Sequence, residues 1–155
     1  MKIKKIGLIS KDEKGMFIKL EQEYIPGLLE IEGFNFLTII WWGHLYAEDK
    51  YRSQLLIPKP YVKGPETIGV FATRSPLRPN PICISNIPVR EIDKENGKIY
   101  TYYIDAEVDT PVLDIKPYYP CSDRINSAKT PNWNAHWPKS FEEAAGFDWE
   151  KEFNF

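Results

Sequence analysis

The stretch with the most chemical promise is residues 68–82, which read Ile-Gly-Val-Phe-Ala-Thr-Arg-Ser-Pro-Leu-Arg-Pro-Asn-Pro-Ile. Arg74 and Arg78 stand four residues apart in a segment stiffened by Pro76, Pro79 and Pro81. Proline fixes φ, so little backbone entropy is left to lose when a ligand binds, and the planar guanidinium fork matches a carboxylate or phosphate. One reading is a preorganised anion site. The plainer reading is that both arginines pair with surface carboxylates while the prolines cap an edge strand, and spacing alone leaves the two open.

A second stretch, residues 109–118, opens with a polar turn and then alternates Asp114 and Lys116 against Leu113 and Ile115, which puts the polar pair on one face of a strand. Turn amides and carbonyls together with the Asp109 carboxylate suit an adenosine edge, ribose hydroxyls or an amino-acid ammonium. An ordinary Asx turn is the alternative. Cys83, Cys121, His44 and His136 show none of the close pairings that zinc sites favour, so no metal is expected.

Together these segments resemble the TrmO family, through Gly69-Val70-Phe71-Ala72-Thr73-Arg74-Ser75-Pro76, Arg78-Pro79-Asn80-Pro81-Ile82 and Thr110-Pro111-Val112-Leu113-Asp114-Ile115-Lys116-Pro117-Tyr118. Upstream, Glu32-Gly33-Phe34 leading into a strand that ends at His44 extends the resemblance. The resemblance implies a β-barrel methyltransferase that uses S-adenosyl-L-methionine near the interface of a homodimer and methylates N6 of threonylcarbamoyladenosine beside the tRNA anticodon. Carried over by position, it places cofactor contacts on Gly43, His44, Arg74, Ile84, Val108, Asp109, Thr110 and Pro111, and substrate or RNA contacts on Arg78, Asn80 and Lys116. Methyl transfer from a sulfonium is an in-line displacement, so alignment and water exclusion supply most of the acceleration. The acceptor nitrogen must shed a proton, for which Asp109, Asp114 and neutral His44 are the candidates.

The chain departs from that family at several points. Ser10 passes almost directly to Phe17 through an acidic turn, where family members carry a longer segment with a cofactor contact. The family's Asp-Gly before Thr-Pro is Val108-Asp109 here, its Gly-Leu after Asn-Pro-Ile is Cys83-Ile84, and its aromatic before the histidine is Gly43. Two rivals therefore stand beside tRNA methylation: a paralogue acting on another small molecule or nucleotide, and a non-catalytic module that binds an adenosine-like ligand.

The elements that must position these residues read as short strands. Residues 4–10 and 16–20 look like a hairpin, residues 34–46 like a long buried strand, and residues 68–72 like a short one. Residues 82–92 and 98–106 pair across Asn96-Gly97, the favoured type I′ turn, and residues 112–118 form a last strand. Pro26-Gly27 limits residues 23–30 to a helical turn or tight loop, and Ser140 with Glu143 forms a capping box before a short helix ended by Gly146. A single domain over residues 1–155 follows, a mainly β, small barrel with short peripheral helices. Its aromatic-rich tail, residues 121–155, is expected to pack back as a satellite core or dimer contact, with a base-stacking platform as the functional alternative.

At 155 residues and 43% hydrophobic content the chain can bury one continuous core without staples. Two cysteines and no apolar run after the basic start point to a reducing cytosol. The apolar stretch 36–42 is far below the roughly 20 residues that span a bilayer. A net charge of −2 excludes the globally basic signature of nonspecific nucleic-acid binders, so any RNA must meet a local patch.

Overall fold

The computed structural model describes residues 2–154. Its strands are β1 (Gly7–Asp12), β2 (Gly15–Leu20), β3 (Phe36–Trp42), β4 (Leu56–Pro58), β5 (Thr67–Gly69), β6 (Ile82–Asp93), β7 (Lys98–Thr101) and β8 (Pro111–Pro117). Six of them close into an antiparallel ring in the order β1-β2-β7-β6-β3-β8, while β4 and β5 form a separate ribbon. Along each ring strand alternate residues turn inward. Ile9, Ile18, Leu37, Ile39, Ile87, Ile99 and Val112 thereby reach 0% exposure at the centre, each worth about 1.5–3 kcal/mol relative to exposure.

Most expected elements are present, with instructive differences. The long strand starting near residue 34 stops at Trp42, because the Gly43 N–H turns away to donate to the Pro81 carbonyl (2.7 Å) and the chain enters a 3-10 turn, His44–Tyr46. The strand expected over residues 98–106 stops at Thr101, whose hydroxyl reaches back to the Pro88 carbonyl at 2.8 Å. The hairpin across Asn96-Gly97 exists, but not as a type I′ turn: of that pair only Gly97 takes positive φ (60°). Asp93 instead accepts from both the Asn96 backbone N–H (3.1 Å) and its side-chain amide (2.8 Å), a local Asx interaction that builds a longer loop.

Residues 68–72 split into β5 and the 3-10 turn Val70–Ala72, and pair with β4, a strand of three residues with no period to reveal it. The inner face of this ribbon, Ile57, Tyr61, Ile68 and Val70, is covered by Trp133, Trp137 and Phe153. The tail thus builds a second small core against the ribbon. Ser140 does cap the helix Phe141–Ala144, accepting from Glu143 N–H at 3.2 Å. No helix among the described residues is long and apolar enough to cross a membrane.

Candidate cofactor pocket

One end of the ring holds the pocket of interest, and the strand alternation explains its lining. On β1 the inward face runs Ile9 then Lys11, on β2 Ile18 then Met16, and on β3 Leu37, Ile39 then Trp41. Each series passes from the core to a last inward residue at the mouth, and Lys11, Met16 and Trp41 all line a cavity of about 480 Å³, within the usual range for small-molecule sites. Gly43, His44 and Tyr46 close it from the end of β3, and Tyr103, Asp105, Glu107 and Val108 from the β7–β8 connection.

Thr110 completes the lining and is almost fully buried. Its hydroxyl lies 3.4 Å from His44 Nδ1. The turn that delivers it is fixed by reciprocal bonds to β1: the Asp109 N–H donates to the Ile9 carbonyl (2.8 Å) and the Ile9 N–H to the Thr110 carbonyl (2.9 Å). Asp109 itself adopts φ 66°, the left-handed region, where Asp is among the few non-glycine residues tolerated. This explains why Asp can stand where the family resemblance expects glycine: the position selects a backbone conformation.

The proline-rich loop packs on the same mouth. A Cβ on Gly43 would lie 3.3 Å from both Pro76 Cβ and Pro81 Cβ, so glycine lets the loop close on β3. Arg78 holds the loop's shape: Nε donates to the Ser75 carbonyl (2.8 Å), and Nη2 to the Val70 (3.0 Å) and Thr73 (2.6 Å) carbonyls. Nε and Nη2 are thus committed to its own loop, while Nη1 makes no hydrogen bond to a described residue. Asn80 likewise contacts Arg52, whose Nε donates to the Pro79 carbonyl at 2.8 Å and whose guanidinium lies 6.0 Å from the Trp42 ring. Arg74 is exposed and free of hydrogen bonds and ion pairs among the described residues.

Of the expected cofactor positions, Gly43, His44, Val108 and Thr110 come together in the pocket. Asp109 and Pro111 flank it through the backbone, and Arg74 does not line it. Ile84 lies on the outer wall of the ring, opposite Ile40, with 55% exposure. Asp114 and Lys116 share that wall and pair with each other at 2.7 Å, so neither reaches the pocket as base or substrate contact. Cys83 is half-buried opposite Trp41, where burial pushes its thiol up against the opposing pull of Arg78. Among the described residues no group of His, Cys, Asp and Glu is arranged to hold a metal ion.

Sequence reasoning missed Lys11, Met16, Trp41, Tyr46, Tyr103, Asp105 and Glu107 as pocket residues. Period-two continuation from Ile9, Ile18 and Ile39 could have found the first three. The others sit on irregular connections that carry no periodic signal.

The model of the tRNA-methyltransferase O N-terminal domain matches residues 7–124. The chain belongs to the TrmO family. A probable S-adenosyl-L-methionine-binding protein of Methanocaldococcus jannaschii is 32% identical over 128 residues, covering 82% of this chain and 97% of that protein. The tRNA (adenine(37)-N6)-methyltransferase of Eikenella corrodens is 46% identical over 68 residues, 43% of this chain and 39% of that enzyme. The crystal structure of TrmO from Pseudomonas aeruginosa superposes with a TM-score of 0.63 at 24% identity, covering 83% of this chain. This TrmO-family chain spans 60% of the length of that structure, and the likeness bears on the fold. Residues beyond 124, which build the second core, lie outside the family match.

Proposed function

We propose that the chain is an S-adenosylmethionine-dependent methyltransferase whose acceptor is N6 of N6-threonylcarbamoyladenosine next to the tRNA anticodon, working in the cytoplasm as a homodimer. The observation that carries this reading is the convergence of Gly43, His44, Val108 and Thr110 on one cavity in a TrmO-family ring. The chemistry of the lining fits the cofactor: Met16, Trp41 and Ile104 offer apolar and aromatic surface, and charged groups stand at the rim. When bound, the cofactor supplies an electrophilic methyl carbon next to a sulfonium.

The chain's own residues then align the acceptor, keep water out and take the leaving proton. His44 is the best placed of the candidate bases, since Asp114 is on the outer wall and Asp109 does not line the cavity. In the tautomer whose Nδ1–H donates to the Thr110 hydroxyl, the Nε2 lone pair is the one left to accept a proton. Ile84, which does not reach this cavity, belongs in this reading to the homodimer contact, supported by the neighbouring exposed Ile82 on the same face of β6.

Nucleoside mass spectrometry of tRNA incubated with the protein and S-adenosylmethionine tests the proposal. One methyl group is expected on threonylcarbamoyladenosine, and His44→Ala should slow its appearance about 10²–10⁴-fold. Cofactor turnover without any tRNA nucleoside gaining mass would favour a small-molecule acceptor, a reading that the acidic pair Asp105 and Glu107 at the mouth favours.

A further inference from the structure

Residues 43–52 leave the end of β3 and return to it. The chain runs through the 3-10 turn His44–Tyr46 and the short helix Asp49–Arg52. The Arg52 guanidinium then comes back to the Trp42 ring, 6.0 Å from its centre. An excursion whose ends meet in this way is an Ω-loop. Within it Tyr46 meets Tyr51 edge-on at 5.9 Å, and Lys50 pairs with Glu48 at 2.9 Å. Neither hydrophobic core takes a side chain from residues 43–55, so packing does little to hold the loop down. Among the described residues, its hydrogen bonds to the rest of the chain come from three places: the Gly43 N–H to the Pro81 carbonyl (2.7 Å), His44 Nδ1 with the Thr110 hydroxyl (3.4 Å), and Arg52. The Arg52 tie is the most extensive. Half-buried, this side chain donates from Nε to the Pro79 carbonyl at 2.8 Å and from Nη2 to Asn80 Oδ1 at 3.5 Å while lying against Trp42. It therefore joins the far end of the loop both to β3 and to the proline-rich loop that packs on Gly43.

We propose that Arg52 is a positioning residue for methyl transfer: it closes the loop that carries His44 and so holds the imidazole beside Thr110 on the wall of the cavity. This rests on the reading of His44 as the base. Such a tie acts on rate through geometry, since displacing a reacting group by about 1 Å can cost on the order of 10²-fold. Lysine keeps the charge without the planar fork, so it can replace one of the two hydrogen bonds and not both.

The chain has two histidines, and His136, held by Glu152 at 2.8 Å in the tail core, serves as an internal reference. In imidazole carbon–proton NMR spectra of the full chain, Arg52→Ala should shift or broaden the His44 signal and leave that of His136 in place, with the urea midpoint near wild type. In methyl-transfer assays on tRNA, kcat should fall about 10–10²-fold with KM for S-adenosylmethionine within about twofold, and Arg52→Lys should recover part of the loss. An unmoved His44 signal in Arg52→Ala overturns the proposal whatever happens to the rate, as does a loss that appears in KM alone. Movement of both histidine signals with a lowered urea midpoint also overturns it, because Arg52 would then be a general stabiliser. If wild type methylates no tRNA nucleoside, the base role of His44 falls by itself, and the NMR comparison still decides whether Arg52 places that side chain.

Discussion

The ring mouth and the tail core are both rich in aromatic and ionisable side chains, yet they use them in opposite ways. In the tail core the rings satisfy one another: Tyr61 stacks on Trp133 at 4.9 Å, and Trp137 meets Tyr61, Trp133 and Trp149 edge-on at 5.3, 5.6 and 5.4 Å. Its buried carboxylate, Glu152, accepts from His136 Nε2 at 2.8 Å and Trp137 Nε1 at 3.0 Å. At the mouth, Tyr103 is 63% exposed, and Lys11 and Glu107 have no partner among the described residues. Groups already paired with one another build structure; groups held in place without a partner are available to a ligand. By this measure the Trp-rich tail is a satellite core, and a stacking platform for bases is not where its rings are spent.

The contrast can be broken at its strongest point with Trp137→Ala. Removing a ring at the centre of the tail core should cost about 3–5 kcal/mol in urea denaturation, with cofactor affinity within about twofold of wild type if the regions are independent. A matching fall in affinity would show that the proline-rich loop, which runs from the ribbon to β6, couples them.

Acid provides a milder probe. The indole N–H of Trp137 holds the Glu152 carboxyl below its ordinary value of 4.5, outweighing burial, with His136 and Lys63 adding to the pull. A lowered carboxylate contributes stability that is complete above the ordinary value and vanishes as pH falls through the lowered one. Wild type should therefore exceed Glu152→Gln in denaturation midpoint near neutrality, and the gap should close on acidification. A gap independent of pH would mean that Glu152 acts through packing alone.

The smallest effect is expected at Asp109. Asp109→Gly, which suits the left-handed backbone, should leave stability within about 1 kcal/mol, whereas Asp109→Val should cost about 1–2 kcal/mol. Methyl transfer retained in the glycine variant would confirm a conformational role, and its loss would restore Asp109 as a chemical group.

The ring was legible because its strands alternate: Ile9, Ile18, Ile39 and Ile99 mark inward faces that any two-residue period exposes. The ribbon was half hidden, since β4 is three residues long and contains Pro58, leaving too few positions for a pattern. Turn chemistry misled at Asn96-Gly97, where the carboxylate of Asp93, three residues before Asn96, decided the loop. The site was readable as far as its backbone: resemblance pointed to Gly43, His44, Val108 and Thr110. Side chains were harder, because a sequence cannot say whether a guanidinium looks outward, as Arg74 does, or binds its own loop, as Arg78 does. Lys11 and Glu107 were invisible for a related reason: surface charges are common, and only geometry tells which line a cavity.

Closure of the ring also bears on how the molecule avoids its own kind in a crowded solution. A closed ring has no outermost strand, so no row of unpaired N–H and C=O groups is left there to template another chain. The ribbon is the place where such rows occur, and it is built defensively: each strand is three residues long, Pro58 removes a donor from one, and the Tyr61–Phe153 bridge draws the end of the chain alongside. Loss of the tail would uncover apolar residues beside those edges, and self-association rather than simple unfolding is the failure to which this architecture is most open.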